Sequence, residues 1–460
     1  MADSHTQTPH QQPQIQTPLL PPPPSPPPPP PLQNNTNHLN HHHNHHLPDQ
    51  EADVDQSIAG LELLLTFLGF SQSSVPSYLI SWTVFVLIGV LLPVIILELP
   101  KCSGCDKYQI KDFELEIVAS QACLAAVSLG CISRNIRKYG VRKFIFVDRR
   151  NSLILGRFSH QYAQQIKNSL RLLIVWSLPC FILKVVREVI RISYVKHESR
   201  WLSAAILFGL IVSWSYVSTI TLTASIIFHL VCNLQIIHFD DYEKLLERES
   251  DVLLFIEEHI RLRYHLSKIS HRFRIFLLLQ FCSVTASQIV TLFQTTGYSG
   301  IITVINGGDF AVSSVVQVVG ISLCLHAATK ISHRAQRIAS VVSRWHALAT
   351  CGSGDSSHLR VSYSSGSLET VNSHNSLSTT YSESDLESMD YVAMPTNTQL
   401  VSYMSSYHRR QSFVMYLQNN PGGITIFGWT VDRGLINTIF FIQLTLITFV
   451  LGKTIVFASK

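Results

Sequence analysis

Long apolar blocks alternate with polar stretches along most of the chain. Seven of these blocks hold about 18 or more mostly apolar residues, a length that matches the hydrocarbon core of a bilayer. Because water cannot hydrogen-bond to the backbone inside that core, such blocks cross it as helices. The predicted spans are residues 78–97, 113–132, 170–190, 204–234, 275–293, 310–328 and 435–457. The pattern predicts an all-α integral membrane protein with seven transmembrane helices.

The third predicted span carries charged residues near its end, namely Lys184, Arg187 and Glu188. Lys184 and Glu188 are one helical turn apart, so their side chains can pair. The stems of Arg187 and Arg191 can extend toward the membrane interface, where their charges would stay hydrated. We therefore expect this segment to cross the membrane despite its charges.

Lys and Arg residues are distributed unevenly between the connections. Of the 35 in the chain, 25 lie in the connections after the second, fourth and sixth spans, and 10 lie at the opposite ends. Short connections rich in Lys and Arg stay in the cytosol. We therefore expect a cytosolic N-terminus and an extracellular C-terminus, the reverse of a G-protein-coupled receptor.

Composition divides the remaining chain into four parts. Residues 1–57, with a proline tract and a histidine-rich run, are predicted to be a disordered cytosolic tail. Residues 58–349 hold spans one to six, and apolar positions at helical spacing in 240–274 and 331–348 predict that membrane helices continue into the cytosol. Residues 350–408 are predicted to be a disordered Ser/Thr-rich cytosolic linker. Residues 409–460 contain a cytosolic segment and the last span.

The proline tract and the linker raise an alternative function. Contiguous prolines adopt a stiff left-handed helix that aromatic grooves of adaptor proteins can bind, and the linker offers phosphorylation sites. The chain could therefore be a non-conducting membrane scaffold or receptor that recruits cytosolic partners. A tail without a binding role is the simpler interpretation.

Catalytic motifs are weak in this sequence. Ser299 in a Gly-Tyr-Ser-Gly run, together with His326, resembles elements of rhomboid intramembrane proteases. The two residues fall near opposite ends of adjacent predicted spans, about 25 Å apart, whereas a nucleophile must contact its base. Cys102 and Cys105 form an isolated pair that favours a disulfide or ordinary thiols over a zinc site. We expect no enzymatic activity, no cofactor, no metal and no nucleic-acid partner.

Polar residues inside the spans are expected to face the bundle interior, because they are costly in lipid. They are His229 and Asn233 in the fourth span, Gln280 and Gln288 in the fifth, and Gln317 in the sixth. Hydrogen bonding between helices and contact with a ligand are both compatible with these positions.

The last span carries a regular row of polar and small residues. Thr438, Thr445 and Gly452 recur every seven residues, with Ile442 and Phe449 on the same stripe. Such a face is expected to avoid lipid. It could pack against another helix, or line a water-filled pore when several copies assemble around an axis.

Seven spans, a cytosolic N-terminus, extended cytosolic helices and this last span together resemble the insect gustatory and odorant receptor channels. The chain is more similar to a plant family of uncharacterised membrane proteins that is distantly related to them. The insect last span has a threonine, a tyrosine, five mostly apolar residues, a glutamine and a hydrophobic residue. Residues 438–446 follow that pattern without a gap, with Ile439 at the tyrosine position and Thr445 at the glutamine position.

The resemblance implies a function and a set of pore residues. In the insect family, four subunits meet through a cytosolic anchor formed by the inner ends of the later helices, the last helix lines a cation pore, and a ligand opens it. By this resemblance, Ile442 and Leu446 would form a hydrophobic constriction and Thr445 an adjacent polar ring. Thr438 and Phe449 would also line the pore. The hypothesis is a homotetrameric, weakly selective and ligand-gated cation channel of the plasma membrane.

Overall fold

The structure is a computed structural model that describes residues 47–98, 111–146, 152–194, 200–248, 251–297, 304–359, 398–431 and 433–458. These ranges are almost entirely helical, as the apolar pattern predicts. The helices are α1 (Leu47–Phe67), α2 (Val75–Val84), α3 (Leu92–Glu98), α4 (Lys111–Tyr139), α5 (Val141–Ile145), α6 (Ser152–Tyr194), α7 (Arg200–Arg248), α8 (Val252–Gly297), α9 (Val304–Leu359), α10 (Thr398–Asn419) and α11 (Arg433–Ala458).

Six helical segments of the described chain are long and apolar enough to cross a membrane. They are Val75–Glu98, Phe113–Tyr139, Phe158–Ser193, Arg200–Glu247, Val252–Phe293 and Gly308–Cys351, and they contain the first six predicted spans. The seventh predicted span lies in α11, whose described apolar part, Asn437–Phe449, is shorter. The multi-pass helical architecture is thus confirmed, while the seventh crossing and the direction of the helices stay predictions.

Helix α7 lies at the centre of the bundle. In its most apolar stretch of 18 residues, 94% of the residues are buried, against 22% in the corresponding stretch of α6. It packs against α4, α6, α8, α9 and the first span. Phe228 of α7 meets Phe273 of α8 with ring centroids 5.0 Å apart, and both are fully buried. Burial of such aromatic rings contributes strongly to packing between neighbouring helices.

The first span changes its helical pitch midway. A π-helical segment, Phe85–Leu91, joins α2 to α3 without a break. A Cβ atom added at Gly89 would lie 3.1 Å from a methyl group of Val217 in α7, so the glycine permits close packing of the two helices. Leu79 and Leu87 are exposed on the opposite side, as expected for residues that face lipid.

The predicted cytosolic extensions are helical but differ in detail from the expectation. The charged stretch 240–274 is divided between two helices, since α7 ends at Arg248 and α8 begins at Val252. Phe255 of α8 lies 5.9 Å from both Trp345 of α9 and Phe413 of α10, measured between ring centroids. Part of the apolar surface of the extensions therefore packs within one subunit, whereas Ile260 and Leu348 are exposed.

Helices also extend into both segments that composition assigned to disorder. Helix α1 begins at Leu47, and its Val54 is buried in the core. Asp53 and Asp55 of the same helix pair with Lys167 at 2.6 Å and Arg142 at 3.1 Å. Helix α9 continues to Leu359 and α10 begins at Thr398. The proline and histidine tracts and residues 360–397 lie outside the described residues.

A short hairpin connects α10 to α11. Strands β1 (Thr425–Ile426) and β2 (Trp429–Thr430) pair antiparallel through a loop in which Phe427 and Gly428 both have positive φ, 50° and 92°. Positive φ at both loop residues is typical of the tight turns whose twist matches that of the strands. The Oγ atoms of Ser270 and Ser332 accept hydrogen bonds from the backbone of Thr425 and Ile424, which holds the hairpin against α8 and α9.

Candidate functional site

One narrow face of α11 attaches the helix to the rest of the bundle. Ile439 packs against the main hydrophobic core, and Gln443 is 3% exposed. The Nε2 of Gln443 donates a hydrogen bond of 3.0 Å to the Oγ1 of Thr285 in α8. Helix α11 contacts α8 and α9 along this face.

The predicted pore residues lie around the rest of α11. Thr438, Ile442, Thr445 and Phe449 are exposed, and Leu446 is half-buried at the margin of the contact face. At about 100° per residue, Thr445 lies about 160° around the helix from Gln443. A groove of about 540 Å³ runs along this open face and is lined by Asn437, Thr438, Phe441, Ile442, Thr445 and Leu446. The structure therefore brings four of the five predicted residues, all except Phe449, to one groove.

The open face of α11 is polar at several points. The Oγ1 atoms of Thr438 and Thr445 donate to carbonyl oxygens of their own helix, at 3.0 and 2.8 Å, which leaves the oxygen lone pairs available as acceptors. Asn437, which directly precedes Thr438, is exposed and lines the same groove with its carboxamide. Amide and hydroxyl groups at membrane depth favour a protein or water environment over lipid.

A second polar feature is a cluster of six buried charged side chains. Helix α6 supplies Lys184, Arg187, Glu188 and Arg191, α4 supplies Glu114 from its first turns, and α9 supplies Asp309. The cluster lies at the end of the bundle where α4 and α9 begin and α6 ends. It balances three cations against three anions, and each side chain is less than 10% exposed.

The pairing within the cluster confirms one expectation and corrects another. Lys184 Nζ lies 2.8 Å from Glu188 Oε1, as the one-turn spacing predicts, and it also donates to Asp309. The expectation that Arg187 and Arg191 extend to the interface is wrong. Arg187 Nη2 lies 2.9 Å from Glu114 Oε1, and Arg191 Nη2 lies 3.1 Å from Glu114 Oε2. Carboxylates from neighbouring helices compensate the guanidinium groups inside the protein.

The polar residues predicted to face the bundle interior do so. Asn233 contacts the ring of His229 at 3.2 Å, and its Oδ1 accepts from Lys330 Nζ at 3.2 Å. Gln280 donates to Ser225 Oγ at 3.2 Å, which links α8 to α7. Gln317 is also buried. Hydrogen bonding between helices accounts for Asn233 and Gln280.

Gln288 differs from the other buried amides. It is fully buried, and neither amide atom has a hydrogen-bond partner in the described chain. Ser299, Cys102 and Cys105 lie outside the described residues. The predicted distance between Ser299 and His326 therefore stays a prediction.

Comparison with known proteins places the chain in a family. The model of a family of proteins of unknown function, DUF3537, matches residues 56–442. The chain belongs to this family. A comparison with curated proteins finds no match for this DUF3537 protein. The matched region extends from α1 to the middle of α11 and so includes the charge cluster and the hairpin.

One solved structure shows a weak likeness to this DUF3537 protein. It is the insect olfactory receptor OR5 from Machilis hrabei in complex with eugenol. The likeness covers 88% of this chain and 100% of that chain, with 11% sequence identity and a TM-score of 0.48. Similarity at this level does not establish a shared fold, so functional conclusions rest on the residues of this chain.

Proposed function

We propose that this DUF3537 protein is a subunit of a homotetrameric, weakly selective cation channel in the plasma membrane, gated by a ligand and without enzymatic activity. The observation that supports it is the open face of α11, where Thr438, Thr445 and the carboxamide of Asn437 share one groove. In this proposal α11 is the seventh transmembrane helix, the N-terminus is cytosolic, and the C-terminus is extracellular.

The asymmetry of α11 favours a pore over a lipid-facing position. The contact face of α11 is held against the bundle by Gln443 and Ile439. Packing within the subunit therefore determines which way the groove faces. If four subunits place this face on a common axis, the threonine oxygens line the conduction path and can accept contacts from cations. A lipid-facing helix would gain nothing from these polar groups.

The apolar residues of the same groove provide a gate. Ile442 is 50% exposed and Leu446 borders it one turn further along. A ring of such side chains closes a narrow pore by excluding water. Thr445 would form the adjacent polar ring.

Replacement of Ile442 by serine tests this function. We expect Ile442→Ser to hydrate the constriction and to raise the basal current of expressing cells, recorded in voltage clamp and normalised to surface protein. Leu444→Ser is the matched control, because Leu444 is equally exposed at 48% but lies about 160° away around the helix. Equal currents in Ile442→Ser and wild type at equal surface expression would remove Ile442 from the gate.

The scaffold hypothesis predicts a different dependence. Of its docking segments, the proline tract and residues 360–397 of the Ser/Thr-rich linker lie outside the described residues. Deletion of residues 1–46 leaves α1 intact and should preserve the currents of a channel. The scaffold would be favoured by two results together: the wild-type protein carries no current, and the deletion abolishes its activity in the cell.

A further inference from the structure

A basic cavity lies at the end of the bundle opposite the charge cluster. It has a volume of about 530 Å³ and lies between the end of α4, α5 and the first half of α8. Four basic side chains line it, Lys143, Lys268, His271 and Arg272, together with the rings of Tyr139 and Tyr264. Its volume lies within the range of sites that hold small molecules or headgroups.

The positive charge of this cavity is uncompensated by the described chain. Neither Lys143, Lys268 nor Arg272 forms an ion pair with a described carboxylate, and no acidic residue of the described chain lines the cavity. Other basic residues at the same end of the bundle do have acidic partners, such as Arg142 with Asp55 at 3.1 Å. An excess of fixed cations in a concave site attracts an anion.

Two of the cations are held in place by neighbouring groups. Arg272 Nη1 donates to the carbonyl oxygens of Lys143 and Phe144 at 3.1 and 3.2 Å, and its guanidinium lies 4.3 Å from the ring centroid of Tyr139. These contacts fix the orientation of the guanidinium at the cavity wall. Lys268 Nζ lies 4.1 Å from the ring centroid of Tyr264. The donors are therefore positioned before any ligand binds.

The predicted spans put Arg272 within the lipid headgroup region and Lys268 just beyond it. Asn135 Nδ2 donates to the carbonyl oxygen of Arg272 at 2.9 Å, which joins the end of α4 to α8 just outside the predicted spans. Arg272 and Lys268 precede the fifth predicted span by three and seven residues, or about 5 and 10 Å along the helix. The headgroup region extends about 5–8 Å beyond the hydrocarbon core on each side.

We propose that this cavity binds clustered phosphate monoesters, and that their source is the headgroup of a phosphoinositide in the cytosolic leaflet. A single phosphodiester would neutralise one cation, whereas a phosphorylated inositol ring presents several phosphates to the convergent cations. Basic pockets between membrane helices on the cytosolic side suit such headgroups. The leaflet assignment rests on the orientation in the proposed function; the phosphate chemistry of the cavity does not.

Lipid binding to the purified full-length protein tests this site independently of any current. The protein in micelles is titrated with fluorescent phosphatidylinositol bisphosphate, and unlabelled phosphatidylserine or soluble inositol trisphosphate is added as competitor. We expect phosphatidylserine to compete at least about tenfold more weakly than unlabelled phosphatidylinositol bisphosphate, because it cannot engage several cations at once. Competition by inositol trisphosphate as strong as by the lipid would assign a soluble inositol phosphate as ligand of the same site, and weak competition would assign the lipid.

Paired variants separate the cavity from general surface charge. Lys143→Gln with Lys268→Gln should weaken binding about 30-fold. Arg134→Gln with Arg137→Gln removes the same charge from exposed positions at the end of α4 and should change binding less than about threefold. Ser267→Asp places a carboxylate on the cavity wall and should also weaken binding, without deleting a contact.

Three results would overturn the proposal. They are equal competition by phosphatidylserine and phosphatidylinositol bisphosphate, unchanged affinity in both cavity variants, and equal losses in the cavity pair and the control pair. None of them depends on whether the protein conducts ions, so failure of this site and failure of the channel proposal are distinguishable.

Discussion

Replacement of Glu114 by glutamine probes the cluster of six buried charges. Glu114 is 1% exposed and bridges Arg187 and Arg191, at 2.9 and 3.1 Å. Glu114→Gln keeps the shape of the side chain but leaves three buried cations facing two anions. Loss of one partner from a buried ion pair costs about 3–5 kcal/mol of folding stability. At about 2 °C per kcal/mol for a large domain, the melting temperature should fall by about 6–10 °C.

Fluorescence-detected size exclusion after heating measures this change on small amounts of protein in detergent. Glu257→Gln is the control, because Glu257 is an exposed acid of α8, and its loss should cost no more than about 0.5 kcal/mol. Glu114→Gln combined with Arg191→Gln restores charge balance, so the double variant should be more stable than the sum of the single effects predicts. A melting temperature within 2 °C of wild type for Glu114→Gln, in the same assay, would refute the interpretation that Glu114 neutralises the two arginines.

Two further predictions concern the attachment of the last helix. A Cβ at Gly422 would lie 2.8 Å from the Cβ of Ala335, so Gly422→Ala should displace the segment before the hairpin and lower the melting temperature. Gly452→Ala is the control and should leave the melting temperature unchanged, because a Cβ there meets open space. Thr285→Val should cost about 1–3 kcal/mol because it leaves the buried Gln443 amide without its acceptor. Gln443→Leu should be nearly neutral because it removes both polar atoms of that amide, and the half-buried Thr285 hydroxyl that remains can donate to a carbonyl of its own helix. Thermal unfolding of the purified variants measures both, and equal effects of Thr285→Val and Gln443→Leu would contradict the second.

The first six spans could be predicted because a bilayer imposes one length and one composition on every helix that crosses it. The Lys184–Glu188 pair could be predicted because a spacing of one turn is a property of a single helix. The partners of Arg187 and Arg191 could not, since Glu114 is more than seventy positions away in α4 and reaches the arginines only through helix packing. Sequence therefore located the buried charges of α6 but not the cluster.

The candidate pore face shows the same limit. A seven-residue repeat selected Thr438 and Thr445, but it contains no information about which side of α11 the bundle covers. The bond from Gln443 to Thr285 determines that side, and it joins residues 158 positions apart. The hairpin was also missed, because its loop residues, Phe427 and Gly428, lack the Asn-Gly or Asp-Gly pair that marks most such turns.

The central claim is that the open face of α11 meets copies of itself around a pore. Single-particle imaging of the full-length protein in lipid nanodiscs measures the number of subunits and the position of this helix. The account predicts a four-fold particle with α11 of each subunit on the axis and Thr445 directed toward it. A monomeric particle, or an assembly in which α11 lies at the lipid periphery, would contradict it.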